Sequence, residues 1–421
     1  MDITITQASC ADDYDPNSMP VEKARAFIHR FLEPVTAVTK VPIRSALGRV
    51  LAEDVPSPVD VPAHRNSAMD GWALRHADLK PDGETTLEEI GASFAGNPFK
   101  GTMKAGQCVR IMTGGVVPEG ADTVIMQERA RASGRAITFS GGNRVGQNVR
   151  EAGEDLKAGS VALRRGRRLR PAELGLVASL GIGELPVYRP LRVAFFSTGD
   201  ELKSIGSVLG EGEIYDSNRY TIHGMLTRLG CEVLDLGVVR DDPLALEKAF
   251  RDAAGAADVV ITSGGVSVGE ADFVKGMMEK LGEVVFWKIA MKPGRPLAYG
   301  KIGGAHFFGL PGNPVSVMVT FYQFVRDALL KLMGTDPVDA VPTFQAACTA
   351  KLKKVPGRTE FQRGVFERGA DGALTVRPTG EQGSGILKSM SDANCFIILG
   401  DRAGNVEPGT MVEVQLLEGI V

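Results

Sequence analysis

RVAFFSTGDE, residues 192–201, is an apolar, strand-forming run that breaks abruptly into small and acidic residues. Val193, Ala194, Phe195 and Phe196 leave no polar face, the pattern of a strand covered on both sides. Ser197, Thr198 and Gly199 then turn the chain toward Asp200 and Glu201. The same pattern recurs downstream. Ile222, Met225, Leu226 and Leu229 mark one face of a helix that leads to a strand over 232–239, which runs out into Arg240, Asp241, Asp242 and Pro243. Leu246, Ala249, Phe250 and Ala253 mark a second helix, followed by a strand at 259–261 and the loop SGGVSVGEAD, 263–272. Strands alternating with helices predict a parallel-type sheet covered by helices, and such sheets bind ligands outside the carboxyl ends of their strands. Three successive loops thus bring acids and glycines to one edge.

Outward from this core, Pro20 opens a helical pattern with Ala24, Phe27, Ile28, Phe31 and Leu32 on one face, and the first fifteen or so residues show no periodicity. A second helix is expected from Ser45 as N-cap, then an extended crossing at Pro56, Pro58 and Pro62. Short β-prone pieces at 108–112, 123–126 and 136–139, separated by glycine and proline turns, predict a small β-domain. A helix from Pro171, with Leu174, Val177, Ala178 and Leu180 inward, is expected to pack back on the N-terminal helices and make that β-domain an insertion. Past Pro342, strands at 344–350, 360–366, 395–399 and 411–416 predict a small barrel. The expected fold is multidomain α/β plus β: a discontinuous helical part (18–65 and 151–189), an inserted β-domain (66–150), an α/β domain (190–340) and a C-terminal β-barrel (341–421).

A chain of 421 residues suits roughly two to four domains of about 100–200 residues. With 51 acidic and 48 basic residues the net charge is -3, which gives no broad attraction to nucleic acid or anionic lipid. The arginines at 164, 165, 167, 168 and 170 therefore read as a solvated face. Five widely spaced cysteines form no CxxC or zinc-finger pattern, and the histidines no HExxH. A polar, acidic N-terminus and the lack of a membrane-length apolar run lead to the expectation of a soluble cytoplasmic protein.

Gly264, Gly265 and Gly269 allow backbone N–H groups to approach an anion, with Ser267 beside them, and phosphate is the natural occupant. Carboxylates beside a phosphate make electrostatic sense where a hard divalent ion such as Mg²⁺ bridges the two, and Asp241, Asp242 and Asp272 are the candidate metal-facing acids. Lys288 ends a strand, and the stiff turn KPGRP (292–296) adds Lys292 and Arg295 as oxyanion binders. In LPGNPVS (310–316), Asn313 is placed as an N-cap and Pro314 at the first helical position. Each feature alone has a plainer explanation: glycines make turns, Asp242 caps a helix, and 311–314 merely starts one. Their convergence on one edge favours a site. With no GxxxxGK[ST] loop and no strand-linked GxGxxG, the residues indicate an anion- and metal-binding α/β enzyme.

The ordered series NSAMDGWA (66–73), MTGG (112–115), RxxGED (150–155), STGDEL (197–202), TSGGVSVGEAD (262–272), KPGRP and LPGNPVS resembles the MoeA family and the related E domain of gephyrin, from about Pro20 to the C-terminus. The resemblance implies a molybdopterin molybdenumtransferase, which inserts molybdate into the dithiolene of adenylylated molybdopterin with Mg²⁺-dependent release of AMP. It implies an elongated homodimer whose cleft lies between the α/β domain of one subunit and the inserted domain of the other, with Asp70, Thr113 and Arg150 reaching across. Carried over position by position, Asp70, Thr113, Glu201, Asp241 and Asp272 take catalytic roles. Arg150, Gly264, Gly265, Ser267, Lys288, Lys292, Arg295, Pro311 and Pro314 bind substrate, with Arg363 and Ser384, and also Arg358 and Ser389, from the barrel. Trp72 stands where the family often has tyrosine, and Arg295 where it often has lysine. The implied partners are a second copy, a molybdopterin adenylyltransferase and molybdoenzyme maturation proteins, and neither nucleic acid nor membrane. Two other readings are adenylyl transfer from ATP to molybdopterin and a gephyrin-like scaffold. The accessory domains argue against the first and the retained acids and lysines against the second.

Overall fold

The computed structural model describes residues 18–265 and 280–417. Its centre is a six-stranded sheet in the order Glu232–Val239, Arg192–Thr198, Val259–Ser263, Ala305–Leu310, Pro296–Ile302, Gly282–Lys288. The first four strands are mutually parallel, three of them those whose alternation with helices predicts it. Pro296–Ile302 runs antiparallel to both neighbours, so the far edge is mixed. The cause is local: only Gly303 and Gly304 separate it from Ala305–Leu310, Gly303 has φ 58°, and a link that short makes a hairpin.

Alternation along Arg192–Thr198 sorts its side chains between two cores. Val193 and Phe195 pack with Ile222, Met225, Leu226 and Leu229 of the helix Asn218–Leu229. Ala194 and Phe196 pack with Leu246, Phe250 and Ala253 of the helix Pro243–Ala256, where Phe250 lies edge-on to Phe196 and Phe307 at 5.0 and 5.6 Å. With helices on both faces, the open end of the parallel strands is left for a ligand.

The helix Val21–His29 forms as expected and buries Ala24 and Ile28. The helix expected from Ser45 does not form. Val38–Pro42 is a strand paired antiparallel with Glu184–Tyr188, followed by the single 3-10 turn Ile43–Ser45, and Gly48 at φ 75° redirects the chain. β-branched residues before a proline favour that extended course over a helix. The helix Pro171–Ser179 returns to this part and buries Val177 with Leu51, Val55 and Leu185; Leu180 is also buried, Leu174 half-buried and Ala178 exposed. The arginine run beside it is not simply solvated. Arg167 and Arg170 both hold the buried Glu173 carboxylate, at 2.6 and 2.9 Å, and Arg168 donates to the Gly48 carbonyl at 3.3 Å. The arginine hydrogen bonds hold the Glu173 carboxyl down to about 2.

The inserted domain is a six-stranded sheet with its own core of Trp72, Leu87, Ile111, Ile125 and Phe139. It contains the three expected strands, as Gln107–Ile111, Thr123–Met126 and Ala136–Phe139, together with Gly71–Leu74, Thr85–Ser93 and Ala130–Ser133. Its entry and exit pair, Asn66–Ser67 against Val149–Arg150. The C-terminal strands close a five-stranded barrel: Thr359–Arg368, Leu374–Pro378, Thr343–Cys348, Met411–Leu416 and Cys395–Leu399, which pairs back to the first. The strand Met291–Lys292, from the chain linking the α/β sheet's last hairpin, joins this barrel in parallel, with Lys292 opposite Glu360. Phe361, Met390 and Phe396 of the barrel belong to the same buried cluster as the α/β core. Among the described residues, no helix is long and apolar enough to cross a membrane.

Candidate functional site

A cleft of about 870 Å³ opens at the carboxyl ends of the parallel strands. Its floor is made by Thr198 and Gly199, Ser263 to Gly265, and Pro311 to Asn313, the exits of three adjacent strands. Gly264 has φ 93°, and a β-carbon there would lie 2.6 Å from the Thr198 carbonyl oxygen, so only glycine lets these two exits touch. A β-carbon at Gly199 would meet the Glu201 carboxylate at 2.6 Å, because Glu201 folds back over its own turn.

Asn218 ties the floor together. Its amide nitrogen donates to Ser263 Oγ at 2.7 Å and to the Gly312 carbonyl at 2.6 Å, bridging two of the exits. Neither Asn218 nor Asp216, which also lines the cleft, was singled out from sequence. Both sit where a helix begins, and capping is the ordinary reading of such residues.

The walls carry the charge. Lys292 and Arg295 of the turn and Arg358 of the barrel line the cleft, and the acids Glu201, Asp216 and Asp241 line it with them. The Lys292 ammonium is about half exposed and lies 3.9 Å from Glu360, a buried carboxylate that also accepts from Gln362 at 3.0 Å. Asp241 N–H donates to Asp200 Oδ1 at 3.4 Å. Ser316 is a further buried cleft residue that was quoted in its motif without a role.

Several expected residues are placed differently. Asp242 is the plain helix cap: its carboxylate accepts from Ala245 N–H at 2.8 Å, and it does not line the cleft. Asn313 makes no side-chain cap. Pro314 does open the helix Pro314–Thr320, but the Val315 N–H is met by the carbonyl of Ser384, at 3.1 Å, so the barrel caps that helix. Ser384, Pro311 and Pro314 all line the cleft. Arg363 is 1% exposed and lies behind the wall, donating to Ser389 Oγ at 3.0 Å and the Gly383 carbonyl at 2.9 Å, with its pKa lowered to about 10 by burial. It thus braces the loop that presents Ser384. Lys288 ends its strand, where its carbonyl accepts from Met19 N–H, and is not part of the lining.

Asp70, Thr113 and Arg150 share the inserted domain, and none lines the cleft of its own chain. Asp70 Oδ1 accepts from both the N–H and the hydroxyl of Thr113 at 2.8 Å, and those bonds lower its pKa. Arg150 is exposed and 4.0 Å from Glu154. Trp72 is buried, donates to Glu89 at 2.7 Å and carries the Arg110 guanidinium 4.2 Å over its ring, so its role in this fold is packing. Ser267 and Asp272 lie outside the described residues. Among the described residues no three His, Cys, Asp or Glu side chains converge as a metal site. What the cleft offers chemically is three cations, Lys292, Arg295 and Arg358, beside the backbone of three strand exits, with the carboxylates of Glu201, Asp216 and Asp241 in the same lining.

Three family models match in order: the MoeA N-terminal region (domain I and II) over 19–181, a probable molybdopterin binding domain over 194–331, and the MoeA C-terminal region (domain IV) over 345–417. The chain is 47% identical to the molybdopterin molybdenumtransferase of Haemophilus influenzae, over 94% of this chain and 98% of that one. It is 34% identical to the molybdopterin molybdenumtransferase of Bacillus subtilis, over 90% and 89% of the two chains. The crystal structure of the molybdopterin biosynthesis moeA protein from Pyrococcus horikoshii superposes with a TM-score of 0.82 at 30% identity, covering 95% of this chain and all of that one. On matching family models that together span most of its length, and on relatives similar from end to end, the chain belongs to the MoeA family, transferases of molybdenum cofactor biosynthesis.

Proposed function

We propose that this chain is a molybdopterin molybdenumtransferase, acting in the cleft between the α/β strand exits and the barrel on molybdate and adenylylated molybdopterin. The observation that carries the reading is the meeting of Lys292, Arg295 and Arg358 with the glycine-lined exits of three strands. Phosphate oxygens suit backbone N–H donors, and a tetrahedral oxyanion suits clustered cations. A volume of about 870 Å³ suits a ligand of dinucleotide size.

In this scheme Lys292, Arg295 and Arg358 hold molybdate while the glycine turns hold the pyrophosphate. The two dithiolene thiols bind molybdenum, and one molybdate oxygen leaves as water with their two protons. Water added across the phosphoanhydride then gives AMP and the phosphate of molybdopterin. Asp241 is the cleft acid proposed to help hold Mg²⁺, and the ion would supply charge neutralisation for the cargo phosphates. Asp272 is proposed to share that role. Positioning and charge placement account for the chemistry.

The proposed assembly is a homodimer in which Asp70, Thr113 and Arg150 of one copy complete the cleft of the other. Thr113 and Arg150 are exposed, Asp70 is half-buried, and the absence of all three from the lining of their own cleft supports it. A molybdopterin adenylyltransferase would supply the cargo.

Pure protein with adenylylated molybdopterin, molybdate and Mg²⁺ should release AMP and yield cofactor that activates a molybdenum-free apoenzyme. Turnover that needs ATP and free molybdopterin instead would refute the assignment.

A further inference from the structure

Asn218 opens the helix Asn218–Leu229 and is 8% exposed. A backbone carbonyl can only accept, so the bond to the Gly312 carbonyl identifies the nitrogen end of the Asn218 amide. Its Oδ1 therefore faces away from both clamped loops. That oxygen is buried and has no hydrogen-bond partner among the described residues. Asp216, two residues earlier, is 2% exposed. Its Oδ1 accepts from Arg219 N–H at 3.1 Å, while its Oδ2 is buried without a partner among the described residues. Both residues line the cleft. Two acceptors, on cleft residues two positions apart in the chain, are thus withheld from water and left unmet among the described residues, an expensive arrangement that folded proteins keep where something else completes it.

We infer that Asp216 and Asn218 form the recognition subsite for the donor edge of a fused nitrogen heterocycle: the pterin edge that carries N3–H beside the 2-amino group. The inference rests on the transferase reading and assigns the ring end of its cargo. Phosphate and molybdate are excluded, because both present acceptors and would leave the two oxygens unmet. Adenine offers its 6-amino group beside a ring nitrogen that accepts, which satisfies one oxygen and opposes the other. The pterin edge sets two donors in a row. Because Asn218 also clamps Ser263 to Gly312, the subsite and the anion-binding loops are held in one frame.

Titration of the full chain with pterin (2-amino-4-oxopteridine) and with 3-methylpterin, followed by ligand fluorescence, tests this directly. The methylated ring lacks the N3–H donor and should bind the unaltered protein at least about tenfold more weakly. Asp216→Asn keeps an oxygen for the Arg219 amide but turns the second acceptor into a donor. It should lose pterin affinity by at least about tenfold while AMP affinity and the Mg²⁺ requirement stay unchanged. Equal binding of the two pterins would overturn the inference, as would an Asp216→Asn protein that keeps pterin but loses AMP or Mg²⁺. If that variant does not fold, the two pterins on the unaltered protein still decide. AMP release by the unaltered protein is a separate readout, so the subsite can fail while the transferase reading stands.

Discussion

Replacing Gly264 by alanine should do damage that the neighbouring Gly312→Ala does not. At Gly264 the backbone has φ 93°, where an L side chain costs about 1–2 kcal/mol. The new methyl would also lie 2.6 Å from the Thr198 carbonyl oxygen and 3.0 Å from its hydroxyl. Ordinary contact begins at 3.4 Å, roughly 0.8 Å beyond the distance to the carbonyl oxygen, and the obstacle is the backbone at the end of a central strand, which cannot swing aside. Strain and clash together should cost about 3 kcal/mol. Gly312 is the matched control, since its added carbon would find nothing nearer than the Gly264 Cα at 3.9 Å, and its cost should stay within about 0.5 kcal/mol. Urea unfolding of the two variants measures the difference, and AMP release reads its effect on the cleft floor. A Gly264→Ala protein that relaxes by parting two strand exits should also lose tenfold or more in kcat/KM, roughly as expected for sub-ångström misplacement of a site. Equal stabilities would refute the claim that contact between the exits defines the floor.

Glu173 carries a pH signature. Its carboxyl falls from 4.5 to about 2 in the fold, so the stabilisation is present above about pH 4.5 and is lost as pH falls toward 2. Glu173→Gln should cost about 2–3 kcal/mol at pH 7 in urea unfolding, and the gap from the unaltered protein should shrink to roughly half or less by pH 3. The proposed dimer predicts complementation: an Asp70→Asn chain mixed and refolded with an Asp241→Asn chain should recover about a quarter of normal AMP release. Half of the dimers would be mixed and each would hold one intact cleft, whereas Asp70 acting within its own chain would give no recovery.

The α/β core could be read from sequence because Val193, Ala194, Phe195 and Phe196 have no polar face and each following helix shows a clean apolar stripe. The reversed strand Pro296–Ile302 was less legible, although the pair Gly303 and Gly304 between two strand-like runs was a usable hairpin signal. Ser45 misled because a serine is a good cap only if helix-forming residues follow, and here Gly48 and tertiary pairing of Val38–Pro42 prevailed. For the site, the expected Gly264, Gly265 and Asp241 lie at strand exits that line one cleft. Sequence could not separate Asp241, which lines the cleft, from Asp242, which caps a helix one position later. Arg363 shows the same limit: the family resemblance implies a substrate ligand, and the structure buries its guanidinium against the loop that carries Ser384. Asn218 acquires its role from two loops distant in sequence, information that no local pattern contains.

The two-residue strand Met291–Lys292 hydrogen-bonds into the barrel while its chain continues directly into the α/β hairpin. A swing of the barrel must therefore carry the lysine with it, and the grip on an oxyanion becomes a function of barrel orientation. By thermodynamic reciprocity, an anion bound at Lys292 must bias that orientation in return. In the proposed reading the C-terminal module is then a lever on the candidate cleft, and cutting it away would unhitch the lysine from one of its two supports.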